Sequence, residues 1–131
     1  MKIISHRGNI AGNFYPNLEN SQDYIDLAIE KSYDVEIDVR TCNGKLFLGH
    51  DEPQYETNLN WLLERKSKLW VHCKDFLSLS SLLKTDLNVF YHEKEDYTII
   101  SNGLIWAHNL KTVDENCIIP LLDSSSATLN R

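Results

Sequence analysis

The chain contains few of the residues that mark special classes of protein. Its 131 residues include three cysteines, three prolines, five glycines and one methionine. Cys42, Cys73 and Cys117 are odd in number and form no CxxC pair, which favours reduced thiols in a cytosolic protein over a disulfide framework. No apolar run approaches the ~20 residues of a membrane-spanning helix, and the N-terminal residues do not have the pattern of a signal peptide. We therefore expect a cytoplasmic protein without a membrane span.

Positive charge is also scarce. Thirteen lysines and arginines stand against nineteen aspartates and glutamates, which gives a formal net charge of −6. Because an acidic protein is repelled by the phosphate backbone of nucleic acids, nucleic acid is not expected as a partner. This balance is still compatible with a small, locally positive pocket for one phosphate group.

The composition is that of an ordinary folded domain, with 42% hydrophobic and 24% charged residues. The length suits one domain rather than two. We assign residues 1–122 to this domain and residues 123–131, which include three consecutive serines, to a frayed C-terminal tail.

Short apolar segments alternate with helical segments along the chain. Periodicity predicts strands over Ile3–His6, Asp34–Arg40, Lys45–Gly49, Leu69–Lys74, Asn88–His92, Gly103–Ala107 and Cys117–Leu121, and helices over Glu19–Lys31, Leu59–Arg65 and Phe76–Lys84. This alternation is typical of βαβ units. Because a full barrel of eight such units takes ~250 residues, the expected fold is α/β, a shortened or incomplete TIM-like barrel with mostly parallel strands. Such a barrel exposes strand edges, which a second copy of the chain can cover as a homo-oligomer.

Two carboxylates share one face of the predicted strand Asp34–Arg40. Glu36 and Asp38 are two residues apart, so their side chains point to the same side of the strand. The alternating residues Val35, Ile37 and Val39 point the other way, to the covering helices. Carboxylates on the inner face of a sheet are costly to bury unless a cation compensates them. Their hard oxygen ligands favour Mg²⁺ or Ca²⁺. The strand therefore predicts a divalent metal site.

Four short motifs follow one another in the first part of the chain: His6-Arg7-Gly8, Glu19-Asn20, Glu36-Ile37-Asp38 and Gly49-His50-Asp51. In this order and at this spacing they resemble the glycerophosphodiester phosphodiesterase family, which belongs to the phospholipase-C-like phosphodiesterases and is built on a TIM barrel. The resemblance is specific over residues 2–51, moderate over Leu69–Asp75 and faint beyond. It implies a metal-dependent hydrolase whose substrate is a glycerophosphodiester or a related small phosphodiester.

The resemblance also implies roles for individual residues. His6 and His50 would be the acid–base pair, and Arg7 would bind a non-bridging phosphate oxygen. Histidine suits such a pair because it titrates in a range where it can either accept or deliver a proton. Two routes stay open: attack by water, or attack by a neighbouring hydroxyl of the substrate, which gives a cyclic phosphate.

The predicted strand Leu69–Lys74 departs from the family pattern. The family carries Glu-x-Lys here, whereas this chain has His72-Cys73-Lys74. By the resemblance, Lys74 would contact the phosphate, and Glu36 and Asp38 would hold the metal. His72 can join them as a neutral imidazole, and the site then carries one negative charge fewer. This change shifts the metal preference from Mg²⁺ or Ca²⁺ towards Mn²⁺ or Zn²⁺, and the metal identity stays open among these ions.

Further residues complete the expected site, and one alternative function stays open. Glu19 and Asn20 would orient the first loop, and Trp106 would supply an aromatic wall to the pocket. His92 is interpreted as a rim or core histidine and His108 as a loop residue. The short chain and the departure from the family pattern leave one alternative function, a non-catalytic module that binds a phosphate ligand or senses it on a reduced barrel.

Overall fold

A computed structural model describes residues 2–10, 15–108 and 110–121 of the chain. Within these ranges the elements are β1 (Lys2–His6), α1 (Gln22–Glu30), β2 (Val35–Cys42), β3 (Lys45–Leu48), β4 (Tyr55–Glu56), α2 (Leu59–Glu64), β5 (Leu69–Cys73), α3 (Phe76–Leu82), β6 (Asn88–Phe90), β7 (Tyr97–Ile99), β8 (Ile105–Ala107) and β9 (Cys117–Leu121). The predicted tail, residues 123–131, lies outside the described residues. No helix in the described ranges is long and apolar enough to cross a membrane.

The nine described strands form one mixed sheet. Its main path runs β4-β3-β2-β1-β9-β8-β7, and β5 and β6 continue the sheet from β2. The pairs β1–β2, β1–β9, β2–β5, β5–β6 and β8–β9 are parallel, whereas β2–β3, β3–β4 and β7–β8 are antiparallel. The α/β class is therefore confirmed. The sheet is not closed, so it does not form a complete barrel.

The two ends of the parallel array, β6 and β8, approach each other without pairing as strands. Phe90 of β6 stacks on Trp106 of β8 with ring centroids 4.5 Å apart. Ser101, just after β7, donates its backbone N–H to the carbonyl oxygen of Val89 at 2.8 Å, and its Oγ accepts from the Val89 N–H at 2.9 Å. We call these four residues the seam. Because the seam joins opposite ends of the array, the array curves around a concave face.

Each face of the curved array has its own apolar core. On the convex face, the strands pack against the three helices through buried residues that include Ile25, Ala28, Val35, Ile37, Val39, Leu62, Val71, Leu82 and Val89. On the concave face, a second cluster contains Ile4, Trp70, Phe90, Ile100, Trp106 and Ile118. Full burial of side chains of this size stabilises a fold by roughly 1.5–3 kcal/mol each. Period-two alternation then puts the polar residues of β2 and β5 on the concave face, next to the second cluster.

Helix α1 begins at Gln22 rather than at Glu19, where the sequence pattern predicts its start. Ser21 is the N-cap, with extended backbone angles and a side chain that accepts from the N–H of Tyr24. Asn20 has a φ of 67°, a left-handed conformation that cannot continue a helix. The residues before the cap are instead free to contribute side chains to the concave face. Strands β4 and β7 are also absent from the sequence-based prediction.

Candidate active site

A pocket of about 330 Å³ opens at the carboxyl end of the parallel strands, which is where ligands bind in barrels and open α/β sheets. Seven of the predicted site residues line it: His6, Arg7, Glu36, His50, His72, Lys74 and Trp106. Asp38 lies beneath the surface and is fully buried. All five histidines of the chain line this one pocket, a concentration that points to proton transfer or metal binding.

Strand register brings three potential metal ligands together. Glu36 is paired with His6 across β1–β2, and Asp38 is paired with His72 across β2–β5. Glu36, Asp38 and His72 each offer a ligand atom, and these atoms all lie within 4.8 Å of one another. Oε1 of Glu36 and Oδ1 of Asp38 are buried and have no hydrogen-bond partner among the described residues. Buried carboxylate oxygens without partners fit a cation, so these residues could hold a divalent metal.

Three imidazoles surround the two carboxylates. Nε2 of His6 lies 3.6 Å from Oε1 of Glu36, and Nδ1 of His50 lies 3.5 Å from Oδ2 of Asp38. Nδ1 of His72 lies 3.2 Å from Oδ1 of Asp38 and 3.6 Å from Oε2 of Glu36. The two histidines that the sequence assigns to acid–base chemistry therefore flank the carboxylate pair, one beside each carboxylate.

Burial and crowding shift the pKa values of the carboxylate pair and its neighbours. Burial, together with the charge of Asp38, raises the pKa of Glu36 to about 7. Burial alone would raise the pKa of Asp38 as well, but contacts with His50, His72 and Arg7 hold it well below its ordinary value. Burial opposes a charge on His72, yet the two carboxylates raise its pKa to about 9. Burial and the charge of Arg7 lower the pKa of His6 to about 3.

The loop after β1 holds Arg7 against the carboxylates. Arg7 has a left-handed φ of 59°, and this conformation is fixed by its N–H, which donates to the carbonyl of Glu36 at 2.8 Å, and by its carbonyl, which accepts from the N–H of Asn20 at 3.0 Å. Its Nη1 lies 3.1 Å from Oε1 of Glu19, and its Nε lies 3.2 Å from Oδ2 of Asp38. Non-glycine residues in this region are uncommon and concentrate at functional sites.

Asn20 and Glu19 lie behind this loop. The side-chain amide of Asn20 donates to Oδ2 of Asp38 and accepts from the Asp38 N–H, both at 2.9 Å. Oε2 of Glu19 accepts from the side chain of Asn9 at 2.7 Å. Both residues are buried, so they contact the residues of the first loop and of β2 rather than the open pocket.

His50 is carried by a tight loop after β3. The N–H of Gly49 donates to the carbonyl of Asp38 at 3.0 Å, and Nε of Arg40 donates to the carbonyl of Gly49 at 2.9 Å. Arg40 also donates to the carbonyl of His50. A Cβ atom on Gly49 would lie 1.9 Å from the carbonyl oxygen of Glu52, so only glycine fits at this position.

The wall opposite the carboxylates contains residues to which the sequence gives no site role. His92 and His108 follow β6 and β8, and their rings stack with centroids 4.0 Å apart. Nε1 of Trp106 donates to Nε2 of His108 at 2.9 Å. Trp106 thus lines the pocket as predicted, and the two histidines extend this wall. The available signal was their position: His92 ends a predicted strand, as Lys74 does, and His108 directly follows one, as His50 does.

Lys74 follows β5 and lines the same pocket. Its N–H donates to the carbonyl of Val39 at 2.9 Å, which fixes its backbone at the end of the strand. Unlike Arg7, it has no ion-pair partner among the described residues, so its ammonium group is the less compensated of the two cations.

Comparison with models of known protein families, with curated proteins and with solved structures gives no match.

Proposed function

We propose that this protein is a metal-dependent phosphodiesterase that hydrolyses a glycerophosphodiester or a related small phosphodiester. One observation carries the proposal: His6 and His50 lie within 3.6 Å of a buried pair of carboxylates, one histidine beside each carboxylate. A structural role explains one hydrogen-bonded histidine at a strand end, but it gives no reason for two on either side of a candidate metal site.

The histidine pair suits the proton transfers that the reaction needs. Cleavage of a phosphodiester requires removal of a proton from the nucleophile and delivery of a proton to the leaving alkoxide. In our proposal His6 and His50 perform these two transfers. The nucleophile is water or a neighbouring hydroxyl of the substrate, and in the second case a cyclic phosphate forms first.

The cations of the pocket suit a phosphodiester, whose non-bridging oxygens carry negative charge. Arg7 and Lys74 bind these oxygens in our proposal. A divalent cation held by Glu36, Asp38 and His72 would add further neutralisation of the phosphoryl charge when bound. Trp106 forms an aromatic wall that limits the width of the pocket.

We further propose that the curved sheet is a shortened TIM-like barrel and that the chain is related to the glycerophosphodiester phosphodiesterases. Two features support this proposal. The parallel array bends far enough for β6 and β8 to meet at the seam, and the four motifs of the family occur in order on β1, the following loop, β2 and the loop after β3.

Phosphorus NMR of the purified protein with a panel of glycerophosphodiesters tests the proposed activity. The reactions contain Mg²⁺, Ca²⁺, Mn²⁺ or a chelator. We expect a phosphomonoester or cyclic-phosphate signal that depends on the metal. A cyclic phosphate that appears first would identify attack by the substrate hydroxyl.

Variants separate catalysis from binding. His6→Ala and His50→Ala should each lower the rate by at least ~10²-fold. Lys74→Ala should raise KM, whereas Lys45→Ala is the matched control and should not, because this lysine is 65% exposed and begins β3, at the end of the strand away from His50. Near-normal turnover in His50→Ala would contradict the acid–base assignment. Binding of the diesters without any product would favour the alternative, a non-catalytic phosphate-binding module.

A further inference from the structure

The carboxylate pair has a third neighbour, His72, whose ring is held in one orientation. Nε2 of His72 lies 3.0 Å from the backbone carbonyl oxygen of His92. A carbonyl oxygen can only accept, so Nε2 carries the hydrogen of this bond. In the neutral ring, Nδ1 then has the free lone pair, and it is Nδ1 that faces Asp38 and Glu36.

The surroundings of His72 keep this orientation. Its ring stacks on Phe90 with centroids 5.1 Å apart and an interplanar angle of 17°. The residue is 9% exposed. A metal-bound histidine typically donates its second ring N–H to a carbonyl or carboxylate, which fixes both tautomer and ring direction. The bond to His92 meets this requirement with a backbone group.

The spacing of His72 and Asp38 is compatible with two ligands of one ion. Nδ1 of His72 is 3.2 Å from Oδ1 of Asp38, yet that oxygen has no hydrogen-bond partner among the described residues. Two atoms that each lie about 2.1 Å from one ion are roughly 3.0–3.4 Å apart. The 3.2 Å between Nδ1 of His72 and Oδ1 of Asp38 falls in this range, and the 3.6 Å between Nδ1 and Oε2 of Glu36 lies just above it.

We infer that His72 is a nitrogen ligand of a transition-metal ion, and that the site prefers Mn²⁺ or Zn²⁺ to Mg²⁺ or Ca²⁺. One imidazole and two carboxylates form a mixed nitrogen–oxygen set, which suits Mn²⁺ and Zn²⁺, whereas Mg²⁺ and Ca²⁺ are bound through oxygen. The inference rests on the proposed function in one respect only, that the bound metal serves the phosphodiesterase reaction. The ligand assignment itself rests on the contacts of His72.

Titration of the 131-residue chain with Mn²⁺ and with Mg²⁺ tests the preference. We expect Mn²⁺ to bind at least ~10-fold more tightly than Mg²⁺. Pulsed electron paramagnetic resonance of the Mn²⁺ complex should show the magnetic coupling of one imidazole nitrogen to the metal. This spectrum needs no variant and reports the ligand directly.

Two variants make the test specific to His72. His72→Glu creates an all-oxygen set, so the nitrogen coupling should disappear and the ratio of Mn²⁺ to Mg²⁺ affinity should fall about tenfold. His92→Ala is the matched control, since it removes another imidazole of the pocket but keeps the backbone carbonyl that orients His72. We expect the nitrogen coupling to survive in His92→Ala.

The outcomes separate this inference from the proposed activity. Mn²⁺ bound without nitrogen coupling, coupling that persists in His72→Glu, equal affinity for Mg²⁺, or no metal binding at all would each overturn the inference. If product still forms with Mg²⁺ or Ca²⁺ in such a case, the phosphodiesterase proposal stands. If the nitrogen coupling is present and no diester is cleaved, the proposed function fails and the ligand assignment holds.

Discussion

At the scale of single residues, the buried carboxylate of Glu36 is poorly compensated by its surroundings. This carboxylate is 1% exposed, lies beside a second buried carboxylate and keeps one oxygen without a hydrogen-bond partner. The negative charge of its neighbour Asp38 is better compensated, because Asn20, Arg7 and two histidines contact this carboxylate. The two carboxylates should therefore respond to neutralisation in opposite ways.

Glu36→Gln should stabilise the metal-free protein. Because the pKa of Glu36 is raised from 4.5 to about 7 in the folded state, its ionisation opposes folding progressively as the pH rises from about 4.5 to 7. The gain should thus be small at pH 5 and reach the order of 1–3 kcal/mol at pH 8. Chemical denaturation in a chelating buffer at both pH values measures it.

Asp38→Asn is the contrasting variant and should destabilise the same protein. The pKa of Asp38 is lowered in the folded state, so its ionised form contributes stability above the unfolded pKa, and this contribution is lost as the pH falls through the folded value. The penalty should therefore be present at pH 7 and shrink in acid. Equal effects of the two variants would contradict the assigned difference between the two carboxylates.

The sequence predicts the carboxylate side of the site and Trp106 on the opposite wall, but it gives no site role to His92 and His108. Glu36 and Asp38 share a face because side chains alternate along a strand, which local pattern reveals. His92 and His108 meet only because β6 and β8 come together at the seam, and no local pattern encodes contact between two distant strands. The separation of 16 residues between them gives no period of a helix or strand.

At the scale of elements, the start of helix α3 links two parts of the fold. Asp75 is its N-cap and accepts from the N–H of Ser78 at 2.8 Å, while its second oxygen accepts from the N–H of Thr41 in β2 at 2.9 Å. The side chain thus satisfies one backbone donor of the helix and one of the sheet.

Asp75→Ala should lower the free energy of unfolding by about 1–2 kcal/mol, because an N-cap and a bond to the sheet are both lost. Asp75→Asn keeps an acceptor of the same shape and should cost less. The amides of Thr41 and Ser78 hold the pKa of Asp75 below its ordinary value against the opposing effect of burial. The difference between wild type and Asp75→Asn should therefore be present at neutral pH and shrink as the pH falls below the ordinary pKa of an aspartate and through the lowered pKa of Asp75, which pH-dependent denaturation measures.

Two glycines, Gly44 and Gly49, flank β3, and substitutions at them have different effects. Alanine at Gly49 causes a steric clash, whereas alanine at Gly44 causes only backbone strain. Gly49→Ala places a Cβ 1.9 Å from the carbonyl oxygen of Glu52, so the loop that carries His50 must move. We expect turnover to fall on the order of 10²-fold, the effect of a displaced catalytic group. Gly44→Ala at the other end of β3 meets no atom within 4 Å and suffers only from its φ of 78°.

Gly44→Ala is therefore the control, with a stability loss of about 1–2 kcal/mol and little change in turnover. Thermal unfolding and the phosphodiester assay together measure the two effects. Equal turnover in both variants would contradict the role of the loop in positioning His50.

Most elements follow from periodicity, and the exceptions have local causes. The faces of β2 and β5 alternate cleanly, so their predicted boundaries agree with the structure to within one or two residues. Strand β7 has three residues after the charged segment Glu93–Asp96, and β4 has two. Strands this short contain no full alternation, and β6 and β8, with three residues each, are predicted only as parts of the longer segments Asn88–His92 and Gly103–Ala107. The existence of β7 and β4 depends on pairing with β8 and β3, which the sequence does not encode locally.

At the scale of the whole molecule, the seam replaces the strand pairing that would close the sheet. Oγ of Ser101 accepts from the N–H of Val89 at 2.9 Å and donates to the carbonyl of Leu87 at 3.2 Å. One hydroxyl therefore satisfies two backbone groups at the edge of β6. Ile100, which precedes it, is fully buried in the core of the concave face.

Ser101→Ala should destabilise the protein by about 1–2 kcal/mol, since two hydrogen bonds are lost and a backbone donor of a buried residue is left unpaired. The amide of Val89 should then exchange its hydrogen faster than in the wild type, which hydrogen-exchange NMR detects. Ser81→Ala, on the exposed side of α3, is the control and should change neither quantity by a comparable amount. Unchanged exchange at Val89 in Ser101→Ala would show that the seam is not closed by this hydroxyl.

The parallel pairing of β1 with β9 governs the order in which the chain can fold during synthesis. β9 is the last strand of the described residues, yet it lies between the first strand and β8. While the ribosome is still adding residues before position 117, β1 and β2 can pair, but β7 and β8 can reach them only through the seam with β6. The concave face therefore becomes complete only after β9 has been made. Contacts between strands so distant in sequence also slow folding. Until they form, the apolar residues of the concave face are exposed to contact with other molecules.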